Sequence, residues 1–135
     1  MNLPELKIGK LVAQVPIIQG GMAIRLSTAP LAAAVANEGG IGLIAASGMG
    51  LDELRKEIRM ARELTGGKGI IGINAMVAAR QFLDLITTAA EEGIDLIVAG
   101  AGFSRDIFAV GRRYGVEVVP IVSSARLAQT AEKLG

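Results

Sequence analysis

Five aliphatic runs recur along this chain at nearly constant spacing, and that recurrence restricts its fold more than any other feature. They begin near Pro16 (PIIQ), Ile41 (IGLIA), Gly69 (GIIGINAM), Ile94 (IDLIVAG) and Val116 (VEVVPIV), roughly 22 to 28 residues apart. One strand plus one helix fills about that length. Gly40, Gly69, Gly93 and Gly115 stand just ahead of four of the runs, where a helix can stop in the left-handed conformation.

The intervening segments read as helices. Ser27 or Thr28 can cap a first helix, with Pro30 in its first turn and Gly39-Gly40 ending it. From Leu51, apolar spacing puts Leu51, Leu54, Ile58, Ala61 and Leu64 on one face, and Gly66-Gly67 stops the helix. A third helix is predicted from about Ala79 to Glu92, burying Phe82, Leu83, Ile86 and Ala90. Ser104 caps a fourth that Gly115 ends. Ser123 or Ser124 caps a fifth, with Leu127, Ala128, Ala131 and Leu134 inward.

Alternation of this kind implies parallel strands joined by right-handed helical crossovers, with ligands bound along the C-terminal ends of the strands. Aromatic residues are only 3% of the chain against 51% hydrophobic. The core is therefore aliphatic, as in sheets covered on both faces. Two architectures fit five such units: an open flavodoxin-like sheet, or an unfinished (β/α)8 barrel, which ordinarily takes about 250 residues. The expected organisation is a single domain over residues 1–135.

Composition removes several functions. There is no cysteine and no histidine, hence no disulfide, no thiolate metal site and no imidazole base. The net charge of +1 is spread without blocks, which offers neither a nucleic-acid footprint nor a membrane patch. No signal-like or spanning segment is visible, and a cytoplasmic protein acting on a small molecule is expected.

Chemistry must then come from the strand ends. Gly20-Gly21 follows the first run, and adjacent glycines destabilise regular structure. They either bring bare backbone against a flat ligand or make a tight turn at positive φ. Met22 follows them, and Arg25 is either an anion contact or a solvated loop residue. Asn74 lies near the end of an aliphatic strand, on the same face as Gly72 and Met76. Its carboxamide needs partners, from a ligand or from a neighbouring loop. Gly100-Ala101-Gly102 reads as a turn. The acidic residues read as helix ends and solvated faces. No G-x-G-x-x-G or P-loop pattern is present.

Taken in order, "PIIQGGM", "LAAAVANEGGIGLI", "GINAM", "LIVAGAG" and "VEVVPIVSSARLAQTAEKLG" resemble the N-terminal portion of the nitronate monooxygenase (2-nitropropane dioxygenase) family. That family is related to the FMN-dependent type II enoyl-ACP reductases, and the resemblance runs from Leu6 onward. It implies an FMN-binding TIM barrel, of which these are the first five β/α units. The backbone of Gly21, Met22 and Ala23 and the side chain of Asn74 would meet the isoalloxazine ring. The implied activity is oxidation of nitronates or nitroalkanes with O₂, with enoyl reduction or a non-catalytic flavin-binding module as alternatives. The family's catalytic histidine follows the sixth strand and its phosphate loops follow the seventh and eighth. This chain is therefore expected to be inactive alone, and to be a homo-oligomer or part of a longer polypeptide. Ile121 stands where some relatives carry lysine.

Overall fold

The structure is a computed structural model that describes residues 3–135, Ala23 by its backbone only. Its first element is a hairpin that the aliphatic spacing does not announce. Strands β1 (Leu6–Ile8) and β2 (Leu11–Ala13) pair antiparallel around Gly9-Lys10. Next come a four-residue turn, α1 (Ala23–Leu26), in which Ile24 and Arg25 depart from helical geometry, and helix α2 (Ala29–Asn37). Four further strands then alternate with helices: β3 (Ile41–Ala45), α3 (Leu51–Leu64), β4 (Ile70–Met76), α4 (Phe82–Glu91), β5 (Leu96–Gly100), α5 (Asp106–Tyr114), β6 (Glu117–Pro120) and α6 (Ala125–Leu134).

Strands β3 to β6 form one parallel sheet in sequential order. The run at Pro16 joins its open side by a parallel bridge between Ile18 and Ile41. It does not extend into a full strand, and Gln19 supplies the reason. The Leu43 N–H, which a longer strand would bond through its backbone, donates instead to Gln19 Oε1 at 3.1 Å. With that run in first place the order is strictly consecutive. A flavodoxin-like sheet reverses direction after its first strand, so this arrangement is that of a barrel wall.

Alternation assigns the faces. Ile44, Ile71, Ile73, Ile97 and Ala99 point outward into the main core under the helices. Ile41, Leu43, Leu96 and Val98 point to the other face, where Leu6, Ile8 and Leu11 of the hairpin cover them. Lys10 N–H donates to Glu117 Oε1 at 3.1 Å, which seats the hairpin at the N-terminal ends of the strands. Gly72 leaves room within this layer: an added Cβ would lie 2.6 Å from Leu43 Cδ2 and 2.9 Å from the Leu96 carbonyl oxygen.

Several helix expectations hold. Gly115 ends α5 at φ 67°. Ser124 caps α6 by accepting from the Leu127 N–H at 3.2 Å. Others need correction. Helix α4 begins at Phe82, and Leu83 is exposed while Leu85 is buried in its place. Leu64, in the last turn of α3, is half exposed, and Ala128 faces solvent. Neither Ser27 nor Thr28 caps α2 through its side chain; Glu57, from α3, accepts the Ala29 N–H at 2.6 Å. Ser104 accepts from the Asp106 N–H at 3.1 Å, so it serves the start of α5 one residue ahead of the cap position. Among the described residues, no helix is long and apolar enough to cross a membrane.

Candidate functional site

At the C-terminal ends of the strands, Asn74 and the paired glycines meet. Asn74 lies on the inner face of β4, one layer above Leu43, Gly72 and Leu96, between Ala45 of β3 and Val98 of β5. Its neighbours on the adjoining strands are thus small or aliphatic. The carboxamide is half-buried, and no hydrogen bond to it is found among the described residues. Gly21 passes directly over it. A Cβ built on Gly21 would lie 2.5 Å from Asn74 Cβ and 3.0 Å from its Nδ2.

The two glycines are not there for a turn at positive φ, since neither is among the left-handed residues of the backbone. Gly21 is glycine because Asn74 occupies the space a side chain would take. Gly20 is different, for an added Cβ there meets no protein atom within 4 Å. Gly21, Ile24, Ala45, Ser47, Asn74 and Met76 line a cavity of about 130 Å³. The Ser47 Oγ accepts the Met76 N–H at 2.8 Å, which latches the loop after β3 to the end of β4.

The turn is held from beneath by two residues that sequence reasoning did not single out for this purpose. Ser27 is fully buried. Its Oγ accepts from the Met22 N–H at 2.8 Å and from Gln19 Nε2 at 3.0 Å, and donates to the Gly20 carbonyl at 3.3 Å. Its N–H donates to the Met22 carbonyl at 3.1 Å, and its carbonyl accepts from Ala45 N–H at 2.8 Å. Gln19 Nε2 also donates to the Gly20 carbonyl. In sequence, Ser27 carries the signature of a helix cap, and a cap position is only one residue away.

Met22 and Ile24 are exposed beside the turn, and Ala23 opens α1, with its side chain outside the described atoms. Arg25 adopts φ 61°, a left-handed conformation that a non-glycine residue adopts at a cost. It is bound bidentately to Glu53, Nε to Oε1 at 3.0 Å and Nη2 to Oε2 at 3.2 Å. That pairing commits its charge to α3. Among the described residues, no titratable side chain lines the cavity. The charge pair with displaced titration lies on the outer face, where Arg59 hydrogen-bonds Glu92 and holds its carboxyl below the ordinary value.

Elsewhere on the rim, Ala101 sits at φ 54° and Gly102 at φ 130° in the turn after β5. Ile121 leans over Gly100, where a Cβ would meet Ile121 Cδ1 at 2.9 Å. Ser123 and Ser124 stand at the start of α6, away from Asn74.

Comparison with known proteins places this geometry in context. The profile of a family described as nitronate monooxygenase matches residues 5–98. A Mycobacterium tuberculosis protein, (3aS,4S,5R,7aS)-5-hydroxy-7a-methyl-1-oxo-octahydro-1H-indene-4-carboxyl-CoA dehydrogenase, is 28% identical over 120 residues, covering 89% of this chain and 33% of its own length. FabK from Thermotoga maritima superposes with a TM-score of 0.82 at 35% identity, over 89% of this chain and 38% of that one. Nitroalkane oxidase from Streptomyces ansochromogenes superposes at 0.78 with 23% identity, over 91% and 44%, which shows the fold alone. The structural relatives are TIM-barrel enzymes, so the consecutive parallel strands are one section of such a barrel. The chain spans about a third of the length of the Mycobacterium tuberculosis relative and roughly two fifths of the solved chains.

Proposed function

The chain belongs to the nitronate monooxygenase family, and from that premise we propose that it forms the ring-binding side of an FMN-dependent oxidoreductase that oxidises nitronates or nitroalkanes with O₂. One observation carries the reading: a strand-end carboxamide lies directly beneath side-chain-free backbone at the mouth of the sheet. Residues of this kind suit a planar heterocycle. A methyl group at 20 would stand in open space through which such a ring could approach the main chain, and one at 21 would push the backbone off Asn74. Asn74 offers both a donor and an acceptor. Gly21 contributes backbone polar groups, and the Met22 thioether packs well on an aromatic face. Ile24 and Met76 give the cavity an apolar lining. FMN, when bound, supplies the electron-transfer chemistry, which belongs to the cofactor rather than to the protein. The chain's own contribution is to orient and desolvate the ring.

Enoyl reduction is the second reading, favoured by the 35% identity with FabK. Nitronate oxidation against reduction of a crotonyl thioester by NADPH, assayed on a complete barrel polypeptide, separates the two. The sheet has open sides at Ile18 and at β6, where Pro120 brings no donor to an edge strand. On this reading further strands of a longer polypeptide, or a second copy, cover those edges, and the purified chain is not a monodisperse monomer in light scattering.

Flavin fluorescence quenching tests the binding reading on this chain. Because the proposed contacts are to the ring, riboflavin is expected to bind within about threefold of FMN. Asn74→Ala should weaken both by about tenfold, the loss of a well-formed hydrogen-bonded contact. Equal quenching of wild type and Asn74→Ala would contradict the assignment of Asn74.

A further inference from the structure

The Gly20–Met22 turn depends on a single buried hydroxyl, and the hydrogen-bond count there has a direct consequence. A serine hydroxyl gives one proton and offers two lone pairs. Ser27 Oγ uses all three, toward Gly20, Gln19 and Met22. Both backbone polar groups of Met22 end on Ser27, and the Gly20 carbonyl is shared between Ser27 and Gln19. Within the turn this leaves Gly21 as the residue whose N–H and carbonyl both lack a protein partner among the described residues, directly above Asn74.

We infer that Ser27, assisted by Gln19, is a positioning residue: it withholds the Met22 amide and sets Gly21 as the polar backbone group of the cavity. Gln19 works from the sheet side. Its Oε1 takes the Leu43 N–H that would otherwise draw the backbone into a longer strand, and so it frees residues 20 and 21 from the ladder. Ser27 works from the helix side, tied through its carbonyl to Ala45. The turn is thereby held between β3 and the start of α2, with its two ends fixed and its centre open. Toward a ligand, this assigns hydrogen bonding to Gly21 and Asn74 and leaves Met22 to contact it through its side chain. That last step rests on the flavin reading above; the amide pattern itself does not.

Residue-resolved amide hydrogen exchange on the ligand-free chain tests the inference. In wild type, the Met22 amide should exchange at least about tenfold more slowly than the Gly21 amide, each relative to its intrinsic rate. In Ser27→Ala, Met22 should rise to the level of Gly21 while the β4 amides of Ile71 and Ile73 keep their protection. A general loss of stability would move all of them together. If Ser27→Ala does not fold, Gln19→Ala serves, with a smaller rise at Met22. The inference is overturned if Met22 and Gly21 exchange alike in wild type, or if Ser27→Ala leaves Met22 protected. Riboflavin affinity is read in parallel, with an expected loss of about tenfold in Ser27→Ala. Should wild type bind no riboflavin, the flavin reading fails while the exchange pattern still decides the role of Ser27. Should riboflavin bind equally to both proteins, the positioning role toward the ligand is wrong.

Discussion

Gly42→Ala is expected to cost more than about 3 kcal/mol of folding stability, the upper end of what overpacking produces. Residue 42 lies on the outward face of β3, where α2 crosses it without any intervening side chain. An alanine methyl there would overlap the Ala32 carbonyl oxygen, with the Ala32 carbonyl carbon at 2.5 Å and its Cα at 2.7 Å. Those are backbone atoms in the middle of a helix, so no rotamer change relieves the contact. The whole helix must lift from the sheet, and Ala29, Ala32, Ala33 and Ala36, all buried beneath it, lose their packing. Such a loss is a large share of the roughly 5–15 kcal/mol that holds a domain together. Urea denaturation checks this. A shift of the midpoint equivalent to less than about 1 kcal/mol would mean that α2 does not approach the strand this closely. The site depends on the same contact, because Ser27 precedes α2 by only two residues.

Gly21→Ala should be damaging in a different way. The added methyl would stand 2.5 Å from Asn74 Cβ, and one of the two chains must move. The exposed turn is the softer partner, so the expected stability loss is about 1–3 kcal/mol, while flavin affinity falls by more than about tenfold as the backbone is pushed off the carboxamide. The clash is with Cβ itself. Asn74→Ala therefore does not relieve it, whereas Asn74→Gly does, and the double-mutant cycle of Gly21→Ala with Asn74→Gly should show a favourable coupling of about 1 kcal/mol or more. Gly20→Ala is the control, with no protein atom near the new methyl and a stability change within about 0.5 kcal/mol. Equal destabilisation by the two alanines would contradict the contact between the turn and β4.

These predictions show how unevenly the sequence discloses the structure. The strands at Ile41, Ile70, Leu96 and Glu117 were legible because each carries an aliphatic run, unbroken in the two that are buried throughout, β3 and β5. Gly115 and Ser124 act as their local chemistry suggests. The pairing of Gly21 with Asn74 was legible only as two separate oddities, a bare backbone and a polar side chain on an apolar strand; nothing local says that they touch. The hairpin was not legible, since two three-residue strands are too short to display a period. It is nonetheless what covers Leu43, Leu96 and Val98, an inner face that would otherwise be open. Leu64, Leu83 and Ala128 were misplaced because spacing fixes a stripe only to within one neighbour on a helix. The Gln19–Ser27 pairing lay beyond reach for a further reason. It joins side chains through three-dimensional proximity, and a serine ahead of a helix already has a sufficient local explanation as a cap.

The central claim is that Gly21 and Asn74 together receive a flavin ring. Titration of the isotopically labelled chain with FMN, followed by NMR, tests it most directly. The account predicts that the Gly21 amide and the Asn74 carboxamide resonances shift most, and that they do so along one binding curve. Saturating FMN that leaves both resonances in place, or that perturbs only residues elsewhere on the rim, would contradict it.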